Sequence, residues 1–137
     1  MWNWLPAKGH LGGIIVGIRD DLKEVEDWYV GEYLIEATIR DRQSNFRWIL
    51  IVVYGPAQHE QSTDFLSELS ARLDNHTLPI IVGGDFNLIR ENEDKSSLNG
   101  DARLMGAFNA FIEHFELREL KKSDSNLPGL INRRTLL

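Results

Sequence analysis

The run Gly83-Gly84-Asp85-Phe86-Asn87 follows directly on the apolar segment Pro79-Ile80-Ile81-Val82. A strand that ends in a carboxylate and an amide is costly to build for structure alone. Asp is a poor strand residue, and an unpaired charge resists burial. At the mouth of a sheet the same groups can face a metal, a water or a phosphate. A second apolar run, Ile49-Leu50-Ile51-Val52-Val53, ends in Tyr54-Gly55-Pro56. Hydrolysis of a phosphodiester requires the phosphate charge to be neutralised, a water to be oriented and deprotonated, and the leaving oxygen to be stabilised. Asp85, at a rigid strand end, can orient or deprotonate the water or touch a metal. Asn87, from the same turn, can hydrogen-bond the phosphate or the attacking oxygen without adding charge. The Tyr54 hydroxyl, at a neighbouring strand end, can donate to a phosphate oxygen.

Taken singly, each motif is an ordinary turn or strand terminator, because Gly, Asp, Asn and Pro are common turn formers. The pair, each after a buried strand with room for one crossover helix between, points to chemistry. Rival readings fit poorly. Asp85-Phe86-Asn87 does not open a calcium loop, since Ile89 and Arg90 stand where an oxygen ligand and Gly belong. Gly9-His10-Leu11-Gly12-Gly13 lacks the dinucleotide spacing and precedes a strand, not a helix. His10, His59, His76 and His114 show no metal-ligand spacing and read as surface residues, with His59 near enough to Pro56 to approach the same rim. Trp2, Trp4, Trp28 and Trp48 read as core or edge packing in preference to base-stacking platforms. Glu91, Glu93 and Asp94 read as a solvated loop.

The groups need a scaffold. The chain has 137 residues, 42% hydrophobic and 26% charged, which fits one soluble domain over 1–137. A net charge of -6 argues against general coating of nucleic acid, whose nonspecific binding needs Lys and Arg; any such contact is local or bridged by a divalent cation. With no Cys, disulfides, thiolate zinc sites and a Cys nucleophile are excluded. No apolar run has the length of a membrane span, and the start lacks a signal-peptide pattern. Met1-Trp2-Asn3-Trp4-Leu5-Pro6 opens abruptly, as the middle of a domain would.

Leu11 to Arg19 reads as a strand with a Gly12-Gly13 entrance that suggests a bulge or a close backbone approach, and Asp20 to Asp27 as a charged connection. Tyr33 to Arg40 alternates with period two and predicts a half-buried strand, with Glu36, Thr38 and Arg40 on the polar side. The turn cluster Asp41-Arg42-Gln43-Ser44-Asn45 predicts an antiparallel hairpin with Phe46 to Tyr54, a strand apolar enough to be covered on both faces. Glu60 to Asn75 predicts a helix with Phe65, Leu66, Leu69 and Leu73 on its buried stripe. Pro79 opens the strand leading to Asp85, parallel to the one ending at Tyr54. After a polar loop, Asn99 or Asp101 caps a second helix, Ala102 to Glu116, with Leu104, Phe108, Phe111, Ile112 and Phe115 inward. Residues 121–137 read as an irregular tail.

These residues resemble the endonuclease/exonuclease/phosphatase superfamily, the deoxyribonuclease I-like fold, and most of all the endonuclease domain of plant LINE-type retrotransposon proteins. The likeness rests on Trp2 to Gly9, Gly12 to Gly17, Val52 to Gln58, Gly83 to Arg90 and Phe108 to Ile112, and covers about Trp2 to Leu120. It implies an α/β (α+β) fold: part of a four-layer α/β/β/α sandwich with mixed, largely antiparallel sheets. It implies magnesium- or manganese-dependent phosphodiester hydrolysis, nicking DNA, with a nuclear setting if the retrotransposon likeness holds. Asp85 would orient and activate water and touch the metal, Asn87 would hold the attacking oxygen or the phosphate, and Tyr54 would hydrogen-bond the phosphate. The family's early Asn, its metal-binding Glu and its late Asp-His pair have no counterpart here, so the resemblance implies a domain truncated at both ends, with low or no activity of its own. A catalytically inactive remnant or binding module stays open, as does a small phosphoester such as a phosphoinositide as substrate. Open sheet edges would favour self-association.

Overall fold

A computed structural model describes residues 1–9, 12–88 and 102–120, and the backbone of 134–136. In chain order its elements are β1 (Trp2–Leu5), β2 (Ile14–Gly17), β3 (Lys23–Val30), β4 (Leu34–Asp41), β5 (Arg47–Tyr54), a single 3-10 turn (His59–Gln61), α1 (Ser62–Asp74), β6 (Ile80–Asp85), α2 (Ala102–His114), β7 (Arg118–Glu119) and β8 (Arg134–Leu136).

Six strands form one sheet in the order β3-β4-β5-β6-β8-β7, and β1 and β2 form a separate antiparallel ribbon. The β3/β4 and β4/β5 pairs are antiparallel. The β5/β6, β6/β8 and β7/β8 pairs are parallel. The turn cluster after Asp41 thus makes the expected hairpin, and α1 makes the expected crossover between two parallel strands.

Strand β5 explains the layering. Its alternate residues Ile49, Ile51 and Val53 are buried under Phe65, Leu69 and Leu73 of α1 and Phe108, Phe111 and Ile112 of α2. The intervening Leu50, Val52 and Tyr54 pack with Ile14, Val16 and Ile35 under the β1–β2 ribbon. A strand covered on both faces needs apolar residues without alternation, as 49–53 has. The fold is therefore mixed α+β, and its described residues form three layers: helices, large sheet, ribbon. The second helical layer of the expected four is not found among the described residues. Trp2, Trp4 and Ile15 accordingly face outward, 73%, 63% and 75% exposed. Trp2 and Trp4 are thus not core residues, though the Trp2 ring packs across Gly17 at the ribbon's edge; Trp28 and Trp48 are half-buried.

Three further expectations are corrected. Residues 23–27, read as part of a charged connection, belong to strand β3. Its charges sit at a sheet edge and pair across to β4, as in Arg40 with Glu24 and Lys23 with Asp41, so they need no burial. Its alternation is also broken by a bulge between Val25 and Asp27. Strand β4 is buried on both faces, not one. Glu36 is 3% exposed and accepts bonds from Arg72 Nε (3.1 Å) and Nη2 (2.7 Å). An ion pair makes burial of this carboxylate tolerable. In the tail, Arg134–Leu136 adds a strand between β6 and β7. Three residues are too few to show a period. The loop carrying Glu91, Glu93 and Asp94, the caps at Asn99 and Asp101, and His10 lie outside the described residues.

Candidate functional site

The site begins with register. In the parallel β5/β6 ladder Tyr54 is paired with Asp85, so the phenol and the acid leave neighbouring strand ends together. Beyond the ladder the two chains stay stitched. The Gly55 N–H donates to the Asp85 carbonyl at 2.6 Å. Asn87 Nδ2 donates to the Gly55 carbonyl at 2.6 Å. The Asn87 backbone N–H donates to Asp85 Oδ1 at 2.9 Å, closing a turn on its own side chain. Asn87 has φ +50°, a left-handed conformation that Asn tolerates better than most residues. The three predicted site residues are thus brought together by backbone pairing on both sides.

Phe86 fixes the turn from below. Its ring is buried, with centroids 6.0 Å from Phe65 and 5.4 Å from Phe108. Tyr33 extends the row at 5.8 Å from Phe65. Such pairs hold a ring in place at about 0.5–1.5 kcal/mol each beyond burial. With Phe86 anchored, Asp85 stays exposed and Asn87 half-buried on either side of it.

Tyr54 is half-buried, and its backbone N–H donates to the Tyr33 carbonyl at 2.9 Å. A Cβ placed on Gly12 would lie 2.6 Å from Tyr54 Cζ and 2.8 Å from its hydroxyl. Glycine therefore lets the ribbon close over the ring. Sequence reading gave Gly12 only a bulge or close-approach role; its partner came from the fold. The Tyr54 hydroxyl makes no hydrogen bond among the described residues. His59 is exposed in the 3-10 turn, and among the described residues no hydrogen bond or ion pair joins it to Tyr54, Asp85 or Asn87. His76 is not the surface residue expected: its Nε2 lies 2.8 Å from Glu36 Oε2, part of the clasp on α1.

Among the described residues no group of three or more His, Cys, Asp or Glu could hold a metal ion. Asp85 offers one carboxylate, with Oδ1 already accepting from Asn87. Magnesium is bound through one or two carboxylates, with phosphate oxygens and waters filling its shell. Among the described residues the donor set is that of an ion held jointly with a substrate phosphate.

The model of the endonuclease/exonuclease/phosphatase family matches residues 2–133. Curated proteins give no match. Among solved structures the chain is similar to the crystal structure of an endonuclease/exonuclease/phosphatase family protein from Bacteroides thetaiotaomicron. Identity is 11% and the TM-score 0.47, with 87% of this chain and 52% of that one covered. The chain spans about half the length of that protein.

Proposed function

The chain belongs to the endonuclease/exonuclease/phosphatase family, and on that premise we propose that Tyr54, Asp85 and Asn87 are the working end of a phosphodiester hydrolase acting on DNA, with the nicking activity of a LINE-type endonuclease. The observation that carries this reading is the Tyr54–Asp85 register pair, which puts the two residues side by side at the ends of adjacent parallel strands.

Roles follow from the hydrogen bonds. Gly55 offers a carbonyl, an acceptor only, so the Asn87 group facing it is the amide nitrogen. The Asn87 Oδ1 is then the acceptor left to a ligand. It suits a hydrogen of the attacking water better than an unprotonated phosphate oxygen. Asp85 Oδ2 takes the water's proton, while Oδ1 stays with the Asn87 N–H and fixes the carboxylate plane. Tyr54 donates to a phosphate oxygen and stabilises charge that grows there in the transition state. A magnesium or manganese ion bound with the substrate, with Asp85 among its ligands, would neutralise phosphate charge.

Plasmid nicking with magnesium tests this against Asp85→Ala, Asn87→Ala and Tyr54→Phe. Loss of one oxyanion donor commonly costs about 10²–10³ in rate and loss of a general base about 10²–10⁴. Each variant should fall by at least about 10²-fold; the melting temperature of Tyr54→Phe should hold, while Asn87→Ala and Asp85→Ala, which lose the bonds of the turn, should melt lower yet remain folded. A second reading, a non-catalytic module that keeps the fold, draws support from the single carboxylate the described residues offer. Equal background nicking in the parent and all three variants would establish that reading instead.

A further inference from the structure

Beside Tyr54 lies a cavity of about 410 Å³, between the β1–β2 ribbon and the β3–β4 turn. Leu5, Pro6, Ala7 and the Tyr54 ring give it apolar walls, and Lys8 and Glu32 contribute one charge of each sign. Neither Lys8 nor the Glu32 carboxylate makes an ion pair or a hydrogen bond among the described residues. The Glu32 backbone N–H is the part held, donating to Glu68 Oε2 at 3.0 Å.

We infer that this cavity is a nucleoside subsite: it takes the base and sugar of the nucleotide whose phosphate lies at Tyr54, and Glu32 favours bases that carry an exocyclic amino group. The inference rests on the proposed reading of Tyr54 as a phosphate contact. Size comes first. Small-molecule pockets run from about 300 to 1,000 Å³, so this one suits a single nucleoside and not a longer stretch of polymer. Chemistry comes second. A polyol such as inositol needs hydrogen-bonding partners around its ring, since buried hydroxyls without partners are costly. Aliphatic and aromatic walls instead suit the flat faces of a base. Charge comes third. Lys8 balances Glu32, so the cavity offers no net positive field for a second phosphate. A carboxylate is an acceptor only, and the amino group of cytosine is its natural partner. Thymine presents carbonyl oxygens there and is disfavoured.

The test is two-dimensional amide NMR of the intact chain, titrated separately with inorganic phosphate, deoxycytidine monophosphate, deoxythymidine monophosphate and inositol monophosphate. The expected result is that phosphate shifts the Tyr54 resonances, while deoxycytidine monophosphate shifts these and the amides of Ala7, Gly12 and Gly31. It should bind about tenfold tighter than the thymidine nucleotide. Glu32→Gln should bring the two nucleotides to near-equal affinity. Ala7→Ile, at an exposed position, should block the cavity shifts and leave those from phosphate; its melting temperature checks the fold. Inositol monophosphate binding as tightly as the nucleotides would overturn the inference. So would phosphate moving Tyr54 while nucleotides leave the cavity amides unmoved, an outcome that spares the Tyr54 reading. Cavity shifts from nucleotides without any response of Tyr54 to phosphate would instead sink the Tyr54 reading, and with it the inference as stated.

Discussion

At the scale of single residues, the site depends on groups that touch no substrate. Gly12 is one. Its hydrogen faces the far end of the Tyr54 ring, so Gly12→Ala should displace the phenol and leave the backbone in place. Nicking should fall by about tenfold or more, as expected when a positioned donor is moved, with a melting temperature close to that of the parent. Gly84 should behave in the opposite way. It has φ +126°, and a Cβ there would lie 2.1 Å from the Val53 carbonyl oxygen. Gly84→Ala should therefore lower stability, by at least the roughly 1–3 kcal/mol that a residue forced into such a conformation costs, read from urea unfolding. Phe86→Ala should cost about 3–5 kcal/mol, because the ring is buried between two others. Asp85, Asn87 and Tyr54 stood out in the sequence because polar groups that end apolar runs are conspicuous. Gly12 stood out as a close approach, but its partner did not, since a contact with a residue far along the chain leaves no local pattern. Glu36 was misread for a related reason: period two says which face a residue takes, not whether that face is wet.

At the scale of elements, polar clasps hold α1 to the sheet. Glu36 on β4 binds Arg72 and His76, and Arg72 also lies over the Tyr29 ring, 3.8 Å from its centroid. The Glu36 hydrogen bond raises the Arg72 pKa, so the guanidinium stays charged. Arg72→Ala leaves a buried carboxylate short of its cation and should cost about 3 kcal/mol. Glu68 Oε1 and Oε2 accept from Tyr33 and Glu32 N–H groups at 3.0 Å, fixing the β3–β4 turn beside the cavity. The β4–β5 turn carries a pH dependence. Asp41 pairs with Lys23, and its Oδ1 accepts from the Ser44 and Gln43 N–H groups at 3.0 and 2.9 Å. The hydrogen bond from Lys23, then that from Ser44, holds its carboxyl far below the usual carboxylate range. A depressed carboxylate stabilises the fold above its unfolded pKa of about 3.9 and loses that contribution as pH falls below it. Urea unfolding from pH 6 to pH 2 should show this loss, and Asp41→Asn should flatten the acid limb. The helices, the hairpin and the parallel crossover were legible because apolar periodicity and turn residues agree there. Strand β3 was not, because an edge strand that pairs its charges across the sheet resembles a loop in sequence.

At the scale of the whole molecule, the two faces of the large sheet are covered unequally. The helix side buries a continuous cluster running from Tyr33 to Leu117. The ribbon side rests on Ile14, Val16 and Ile35, with half-buried neighbours. A two-stranded ribbon has little stability of its own, and this one presents Trp2, Trp4 and Ile15 to solvent instead of to another layer. Opening the ribbon should therefore cost much less than unfolding the sheet, since local stability follows buried apolar contact. Native-state hydrogen exchange provides the measurement. The ladder amides of Trp2–Leu5 and Ile14–Gly17 should exchange through an opening well below the global free energy, while those of β4 and β5 approach the global value. The same ribbon supplies Gly12 and the wall from Leu5 to Lys8, so its opening would uncover Tyr54. A nucleotide seated in the cavity binds only the closed ribbon and should slow these amides in proportion to its occupancy. Ribbon amides that exchange at the global rate, with or without nucleotide, would mean that ribbon and sheet unfold as one unit and that the site has no separate opening.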